Sequence, residues 1–311
     1  MLVKGHAEGE EAEYEGTERN IKSRLISVAR LPWSKDYDHV IFHESNLPEK
    51  HKSLFQSWSS TLPLRFINVQ PVFDNGHAIM APWQEQLEQG SYAFRSPAEQ
   101  QGAVCWDTTN ATLAAKSELN NLGYKSMCKF WFADFLKYTL DYDSVFRIDD
   151  DCVLEPDTLT DPDPGPMTTV NSARKMGGDK PQVSIGLAQY FHTLGQRSHS
   201  SNATRKIHLH RLSFRGNEHG WSSPYSNIVW FNLTWARQFQ WIYDAVGSTE
   251  CIYHNRWGDH ILWGATLRLL GIDYARIPAM RMRYCHSTSS RQSILVGCDL
   301  DGCKHKKGLG C

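Results

Sequence analysis

No run of about 18 apolar residues occurs in this chain, so the sequence predicts no transmembrane helix. The N-terminus lacks the basic, apolar and small-residue order of a signal peptide. Neither sign of charge dominates: 33 basic and 34 acidic side chains give a formal net charge of −1, leaving no basic field to favour nucleic acid. Internal repeats are absent, and low complexity is confined to one stretch rich in Pro and Asp. The last three cysteines follow C-x4-C-x7-C, which is not a standard zinc spacing. What remains is an ordinary globular composition, 311 residues with 41% apolar, enough core for one large α/β domain or two small ones. Aromatics are plentiful (11 Trp, 12 Tyr, 13 Phe), which serves a sugar-stacking site and a core equally well. The opening Met1-Leu2-Val3-Lys4-Gly5 reads as the tail of a strand entering a loop, so an upstream anchor or signal is expected in a longer protein.

The first third alternates. Residues 6–19 are polar and Glu-rich, a surface loop running into a helix. Ile21, Leu25, Val28 and Leu31 recur on one face, predicting a helix over 21–31 that Pro32 ends. Strands are expected over Tyr37–Glu44 and Leu64–Val69, with a short helix from His51 to Trp58 between them, the start of a βαβ arrangement. Residues 71–104, with Pro, Gly, Gln and Trp, have poor periodicity and read as irregular. Tyr124–Tyr138 is long, aromatic and apolar, and predicts one buried helix. Residues 155–181 carry Pro156, Pro162, Pro164, Gly165 and Pro166 and read as an insertion without regular structure. A strand is expected over 183–188, and residues 193–220, polar and His-rich, read as a mobile loop near a substrate cleft. Asn227–Trp235 reads as a strand, Ala236–Val246 as a helix, 254–259 as a turn, His260–Leu270 as a helix closed by Gly271, and Met280–His286 as extended.

The chemistry concentrates at Phe146-Arg147-Ile148-Asp149-Asp150-Asp151-Cys152. An apolar strand ends there in three carboxylates, and in open α/β sheets ligands bind beyond the carboxyl ends of strands. Asp149 and Asp151 are two apart, so on extended backbone they face the same way and suit a divalent metal held against phosphate oxygens. A solvated acidic turn is the plainer reading, but Val153-Leu154 follows at once, and acids wedged between apolar segments need partners.

Eight cysteines and three sequons, at Asn110-Ala111-Thr112, Asn202-Ala203-Thr204 and Asn232-Leu233-Thr234, lean towards an oxidising secretory compartment; reduced thiols in a cytosolic enzyme are the other reading. Cys298, Cys303 and Cys311 suit disulfides with Cys285 or Cys251, a zinc knuckle being the minor alternative.

Four islands resemble the fungal Golgi α-1,2-mannosyltransferases, which extend mannan chains from GDP-mannose. That family reads SYHKMCRF, RVEPD, ERWGDAP and YHHTPY. Here stand Gly123-Tyr124-Lys125-Ser126-Met127-Cys128-Lys129-Phe130, Arg147-Ile148-Asp149-Asp150-Asp151, Asn255-Arg256-Trp257-Gly258-Asp259 and Arg283-Tyr284-Cys285-His286, in the same order and near the same spacing. The resemblance implies a GT-A fold, a Rossmann-like mixed sheet flanked by helices, as a single catalytic domain over 1–311. Its irregular insertions would lie near 155–181 and 193–220, with a Cys-rich tail over 285–311. It also implies Mn2+ or Mg2+, a nucleotide-sugar donor, a glycan or glycoprotein acceptor, and the Golgi lumen, with membrane attachment only through a segment outside this chain.

Carried over by position, Asp149, Asp151 and His286 become metal ligands, with Asp149 also able to reach metal through water or to hold the ribose. Tyr124 and Asp259 become active-site residues, and Lys4 a nucleotide contact at the end of the first strand. The bland alternatives are a core aromatic for Tyr124, a helix N-cap for Asp259, an exposed end for Lys4 and a structural histidine for His286. Arg147 faces either phosphate or a carboxylate. The family's segment CHFWTNFEI carries a glutamate proposed as nucleophile, whereas Tyr225-Ser226-Asn227-Ile228-Val229-Trp230-Phe231 holds no carboxylate. That departure opens the sugar, the linkage and the stereochemistry. A UDP-sugar donor, or an inactive carbohydrate-binding scaffold, are therefore the alternatives to transfer from GDP-mannose.

Overall fold

The computed structural model describes residues 2–3, 11–45, 47–59, 61–88, 122–150, 152–154, 166–170, 187, 190–196, 224, 227–249, 251–254, 257–273, 275–277, 284–286, 298–299 and 302–303. Strand β1 (Leu2–Val3), helix α1 (Glu11–Ala29), strand β2 (His39–His43), helix α2 (Glu49–Trp58) and strand β3 (Leu64–Asn68) build the first sheet. It is parallel, in the order β1-β2-β3, with Val3 opposite His43 and His43 opposite Asn68. Parallel neighbours need a crossover, and α1 and α2 supply it. As the spacing predicts, Ile21, Leu25 and Val28 are buried. Helix α1 begins ten residues earlier than the apolar stripe, so residues 11–19, expected as loop, are helical. The expected strand bounds at Tyr37 and Val69 shorten by one or two residues.

Helix α3 (Gln70–Glu88) runs through a segment expected to be irregular. Asn68 Oδ1 accepts from the Gln70 N–H at 2.8 Å, and Pro71 falls in the first turn, where a missing N–H forfeits no helical bond. Gly76 lets α3 approach closely: a methyl there would meet Ser126 Oγ at 2.5 Å and Tyr253 Oη at 2.7 Å. Helix α4 (Leu122–Phe132) stops before Ala133, and a 3-10 turn over Asp134–Tyr138 completes what the pattern predicts as one helix. Asp134 anchors that turn, accepting from Lys129 and Lys137 at 2.7 Å each.

Strands β4 (Ser144–Ile148), β5 (Cys152–Leu154), β6 (Met167–Val170) and β7 (Ile228–Asn232) follow. Short helices α5 (Leu233–Arg237), α6 (Gln240–Gly247) and α7 (Cys251–His254) precede α8 (Asp259–Leu270). Strands β8 (Ala275–Ile277) and β9 (Tyr284–His286) and the hairpin β10 (Cys298–Asp299) and β11 (Gly302–Cys303) close the described chain. The second sheet has the order β4-β7-β6-β8, with β7 antiparallel to both neighbours and β6 parallel to β8. A third, two-stranded pairing joins β5 to β9.

Strand β6 corrects the reading of 155–181 as wholly irregular. Pro166 sits just outside the strand, where it costs no ladder bond, and Met167-Thr168-Thr169-Val170 has β-forming side chains. The strand expected over 227–235 turns into α5 at Leu233, because Asn232 caps that helix by accepting from the Trp235 N–H at 2.8 Å. Residues 238–239 interrupt the helix expected over 236–246. Leu187 is helical where a strand was expected, and residues 190–196 are helical into the expected loop. Gly271 ends α8 at φ 71°, with the Ile272 N–H reaching back to Leu267 O at 2.9 Å. Residues 89–104, 155–165, 171–186, 197–220 and 278–283 lie outside the described residues.

The largest core gathers Trp263, Phe132, Phe135, Phe231 and Tyr243, with Trp263 4.6 Å from Phe231 between ring centroids. It extends to Phe42 of β2, whose ring meets Phe130 at 5.0 Å and Trp131 at 5.9 Å. Among the described residues no helix is long and apolar enough to cross a membrane. Cys128 and Cys152 are buried and not in a disulfide, and Cys251 is disulfide-bonded.

Candidate functional site

The acidic stretch is a turn. Asp149 still bonds the sheet through its N–H to Asn227 O at 2.9 Å, and the Cys152 N–H returns to Asp149 O at 3.1 Å. Asp is favoured at the first position of such a turn, since its side chain can bond the backbone beyond it. The chain then enters β5, whose register sets Cys152 opposite His286. The backbone of His286 therefore lies across from the exit of the acidic turn, in a ladder of Cys152, Val153 and Leu154 with His286, Cys285 and Tyr284.

Arg147 organises the site. It precedes Asp149 by two on β4, so both point the same way. Nε donates to Asp149 Oδ1 at 2.8 Å and Nη2 to Asp149 Oδ2 at 3.3 Å, while Nη1 donates to Asp259 Oδ2. The guanidinium carbon lies 4.5 Å from the Trp131 ring centroid, a cation–π contact. Arg147 and Asp259 side chains are 2% and 4% exposed, against 20% for Asp149. Burial pulls the Arg147 pKa down, but Asp149 and Asp259 more than reverse it, and the net shift is upward. For Asp259, burial pushes up, yet Arg147 and then His260 hold the carboxyl well below the usual carboxylate range.

Asp259 is thus not the helix cap: Gly258 holds that position, no side-chain cap bond forms, and the carboxylate turns inward because a buried guanidinium outbids an end of helix that water could satisfy. The Arg147 fork, read as facing phosphate or carboxylate, is committed to carboxylates.

On α4, Tyr124 is 39% exposed. Its hydroxyl bonds the Cys128 thiol, and it lies 3.6 Å from where a Cβ at Gly258 would stand. Burial first, and the Asp259 charge second, push the Cys128 thiol up to about 12, so it stays protonated. On the other side of the turn, buried Arg24 of α1 feels Asp150, Cys152 and Asp149, whose charges oppose the downward pull of burial on its pKa. Ser27, one turn along α1, accepts from the Leu154 N–H at 3.2 Å and so ties the helix to β5.

Lys4 and Asp151 lie outside the described residues, and His286 is placed by its strand register opposite Cys152. Among the described residues no three His, Cys, Asp or Glu side chains gather as a metal site. Four neighbours escaped the sequence reading: Arg24, Cys128, Trp131 and His260. Only Arg24 left a signal, a charge on the apolar face of α1 between Ile21 and Leu25.

No protein-family profile matches the chain, and no curated protein matches it in sequence. Solved structures do resemble it in shape. One is core-mannan synthase A (CmsA/Ktr4) from Aspergillus fumigatus in its Mn/GDP form, at 13% identity and TM-score 0.54, covering 92% of this chain and 73% of that one. Another is the mannosyltransferase Ktr4p from S. cerevisiae, at 12% identity and TM-score 0.50, covering 92% and 70%. At such identities the likeness concerns the fold: the chain has the GT-A glycosyltransferase fold.

Proposed function

We propose that the chain is a metal-dependent glycosyltransferase that moves a sugar from a nucleotide-sugar, mannose from GDP-mannose, to a glycan or glycoprotein acceptor. The observation that carries this is the charge at the end of β4. Asp149, Asp150 and Asp259 stand against Arg24 and Arg147, a surplus of one negative charge beside the backbone of His286, and Asp151, next in the sequence, brings the formal surplus to two. A divalent cation matches that surplus, and carboxylate oxygens with an imidazole suit Mn2+, with Mg2+ second.

Asp151, Asp149 and His286 are the residues that would hold the ion. Asp149 retains acceptor capacity after binding Arg147, since an ionised carboxylate has about four lone-pair sites. When bound, the cation would neutralise the charge that builds on the departing diphosphate. Arg147 orients Asp149 from below, and Lys4 and Tyr124 would contact the donor. Motif order supports mannose; the missing carboxylate in Tyr225–Phe231 favours, as a second reading, a different donor or a scaffold that binds without turnover. The three sequons and the Cys251 disulfide support the lumen of the secretory pathway, with the Golgi as our assignment.

Thermal unfolding with GDP, UDP, GDP-mannose and UDP-sugars, each with and without Mn2+, tests the reading. We expect stabilisation by GDP that requires Mn2+ and disappears in Asp151→Ala. Stabilisation by UDP alone would move the donor assignment, and stabilisation without hydrolysis or transfer would leave a binding scaffold. No Mn2+-dependent stabilisation by any nucleotide refutes the proposal.

A further inference from the structure

We propose that Asn232 carries an N-linked glycan, and that the first sugar of that glycan packs on the paired rings of Trp235 and Phe239. This rests on the secretory-lumen assignment above, since that is where such a sugar is added.

Asn232-Leu233-Thr234 is a sequon with no proline between its ends. The sequons at Asn110 and Asn202 lie outside the described residues, and this one lies within them. The fold uses only half of the Asn232 side chain. Its Oδ1 accepts from the Trp235 N–H at 2.8 Å and caps α5. A cap needs an acceptor oxygen, which Ser, Thr or Asp would supply as well. Asn alone among these adds an amide nitrogen. Among the described residues Nδ2 has no hydrogen-bond partner, and it is not a buried atom. It therefore opens to solvent, with Thr234 exposed two positions on.

The neighbouring surface suits a sugar ring. Trp235 and Phe239 lie 5.1 Å apart between ring centroids, tilted by 53°. Both are half-buried: they pack on the largest core and keep the rest of their surface open. Trp235 is the third residue of α5, and side chains on a helix lean towards its N-terminus, so the indole leans towards Asn232. An indole can bury the apolar C–H face of a pyranose while its N–H stays available to a hydroxyl.

Position keeps this glycan clear of the acids. Asn232 pairs with Ser144 at the start of β4, whereas Ile148, the last residue before the acidic turn, pairs with Ile228. At roughly 3.3 Å per residue, about 13 Å of strand separates Asn232 from that end. The carboxyl end of the sheet is left open to donor and acceptor.

Attachment acts on the extended chain, so what the fold decides is whether the sugar can stay. Nδ2 forms a bond to the anomeric carbon of an oligosaccharide carried on a lipid diphosphate, and gives up a proton to solvent. The bond from that carbon to the diphosphate oxygen breaks, and its electron pair leaves with the lipid diphosphate. Nothing is oxidised or reduced.

The experiment passes the full chain through the secretory pathway of a eukaryotic cell as wild type, Thr234→Ala, Asn232→Asp and Trp235→Ala. Trimming with an endoglycosidase that leaves the first sugar, followed by peptide mass spectrometry, reads occupancy. We expect that sugar on the Asn232 peptide of wild type and Trp235→Ala. It should be absent from Thr234→Ala and Asn232→Asp, both of which still cap α5. Thermal unfolding of the trimmed proteins should place wild type roughly 2–4 °C above Thr234→Ala, the shift of one aromatic packing contact. That gap should close when both chains also carry Trp235→Ala. Mn2+-dependent stabilisation by GDP should be the same in all of them. A bare Asn232 beside a modified Asn110 or Asn202 overturns the proposal and leaves the luminal assignment standing. All three bare overturns both. A gap that Trp235→Ala does not change overturns the packing on the two rings. A modified Asn232 in a chain that no nucleotide stabilises would instead sink the glycosyltransferase reading and leave this site in place.

Discussion

Arg147 must satisfy two carboxylates from different elements, and this sets what each can do. Asp149 keeps a fifth of its side chain open, whereas Asp259 is sealed. An Asn at a helix cap is harmless, so a capping Asp259 would tolerate Asp259→Asn. The buried ion pair predicts otherwise: removing one partner of such a pair costs about 3–5 kcal/mol. Urea unfolding at neutral pH should show this loss. Its pH dependence has a definite sign, because the folded carboxyl is held below its unfolded value. Stability from the pair is complete above the unfolded pKa of about 3.9 and is lost as pH falls towards the folded value. The gap between wild type and Asp259→Asn should hold down to that pH and close below it. A variant as stable as wild type would return Asp259 to the role of a cap or a solvated side chain.

At the level of elements, the close crossing of α3 and α4 depends on one absent side chain. Gly76 faces Ser126 Oγ and Tyr253 Oη at distances no real Cβ contact allows. Gly76→Ala should therefore destabilise by roughly 1–3 kcal/mol, despite alanine's better helix propensity, because the crowding must be relieved by moving packed side chains. Adding Ser126→Ala removes the nearer atom and should recover part of the loss in a denaturation series. Stabilisation by Gly76→Ala alone would mean that the two helices are not in contact there. The same helix carries Tyr124, Cys128 and Trp131, so a displaced α4 would also loosen the ring beneath Arg147. Short elements elsewhere follow local chemistry: Asn232 ends β7 by capping α5, and Gly271 ends α8 in the left-handed region.

For the whole molecule, the aromatic core couples the two larger sheets. Trp263 packs on Phe231 of β7, and the same cluster reaches Phe42 of β2. Trp263→Ala should cost about 3–5 kcal/mol, and far-UV and fluorescence unfolding curves should stay coincident, since both sheets share that core. Two separated transitions would contradict a single domain. Much of this was legible in the residues alone. The alternation of strands and helices up to Asn68, the buried stripe of α1, the acidic turn after β4 and the stop at Gly271 rest on periodicity and turn chemistry, which act over a few neighbouring residues. By itself the sequence determined those features, and with them the end of the sheet where the acids gather. Only the tertiary structure decided the rest. Helix α3 persists because Asn68 starts it and Ser126 and Tyr253 accept a glycine against them. Strand β6 forms beside Pro166 because β7 and β8 lie ready on either side. Asp259 turns inward because Arg147, 112 positions away, is buried beside it. Each of these outcomes is a contest between a local preference and the desolvation of a distant group, and the distant partner is not written in the neighbouring residues.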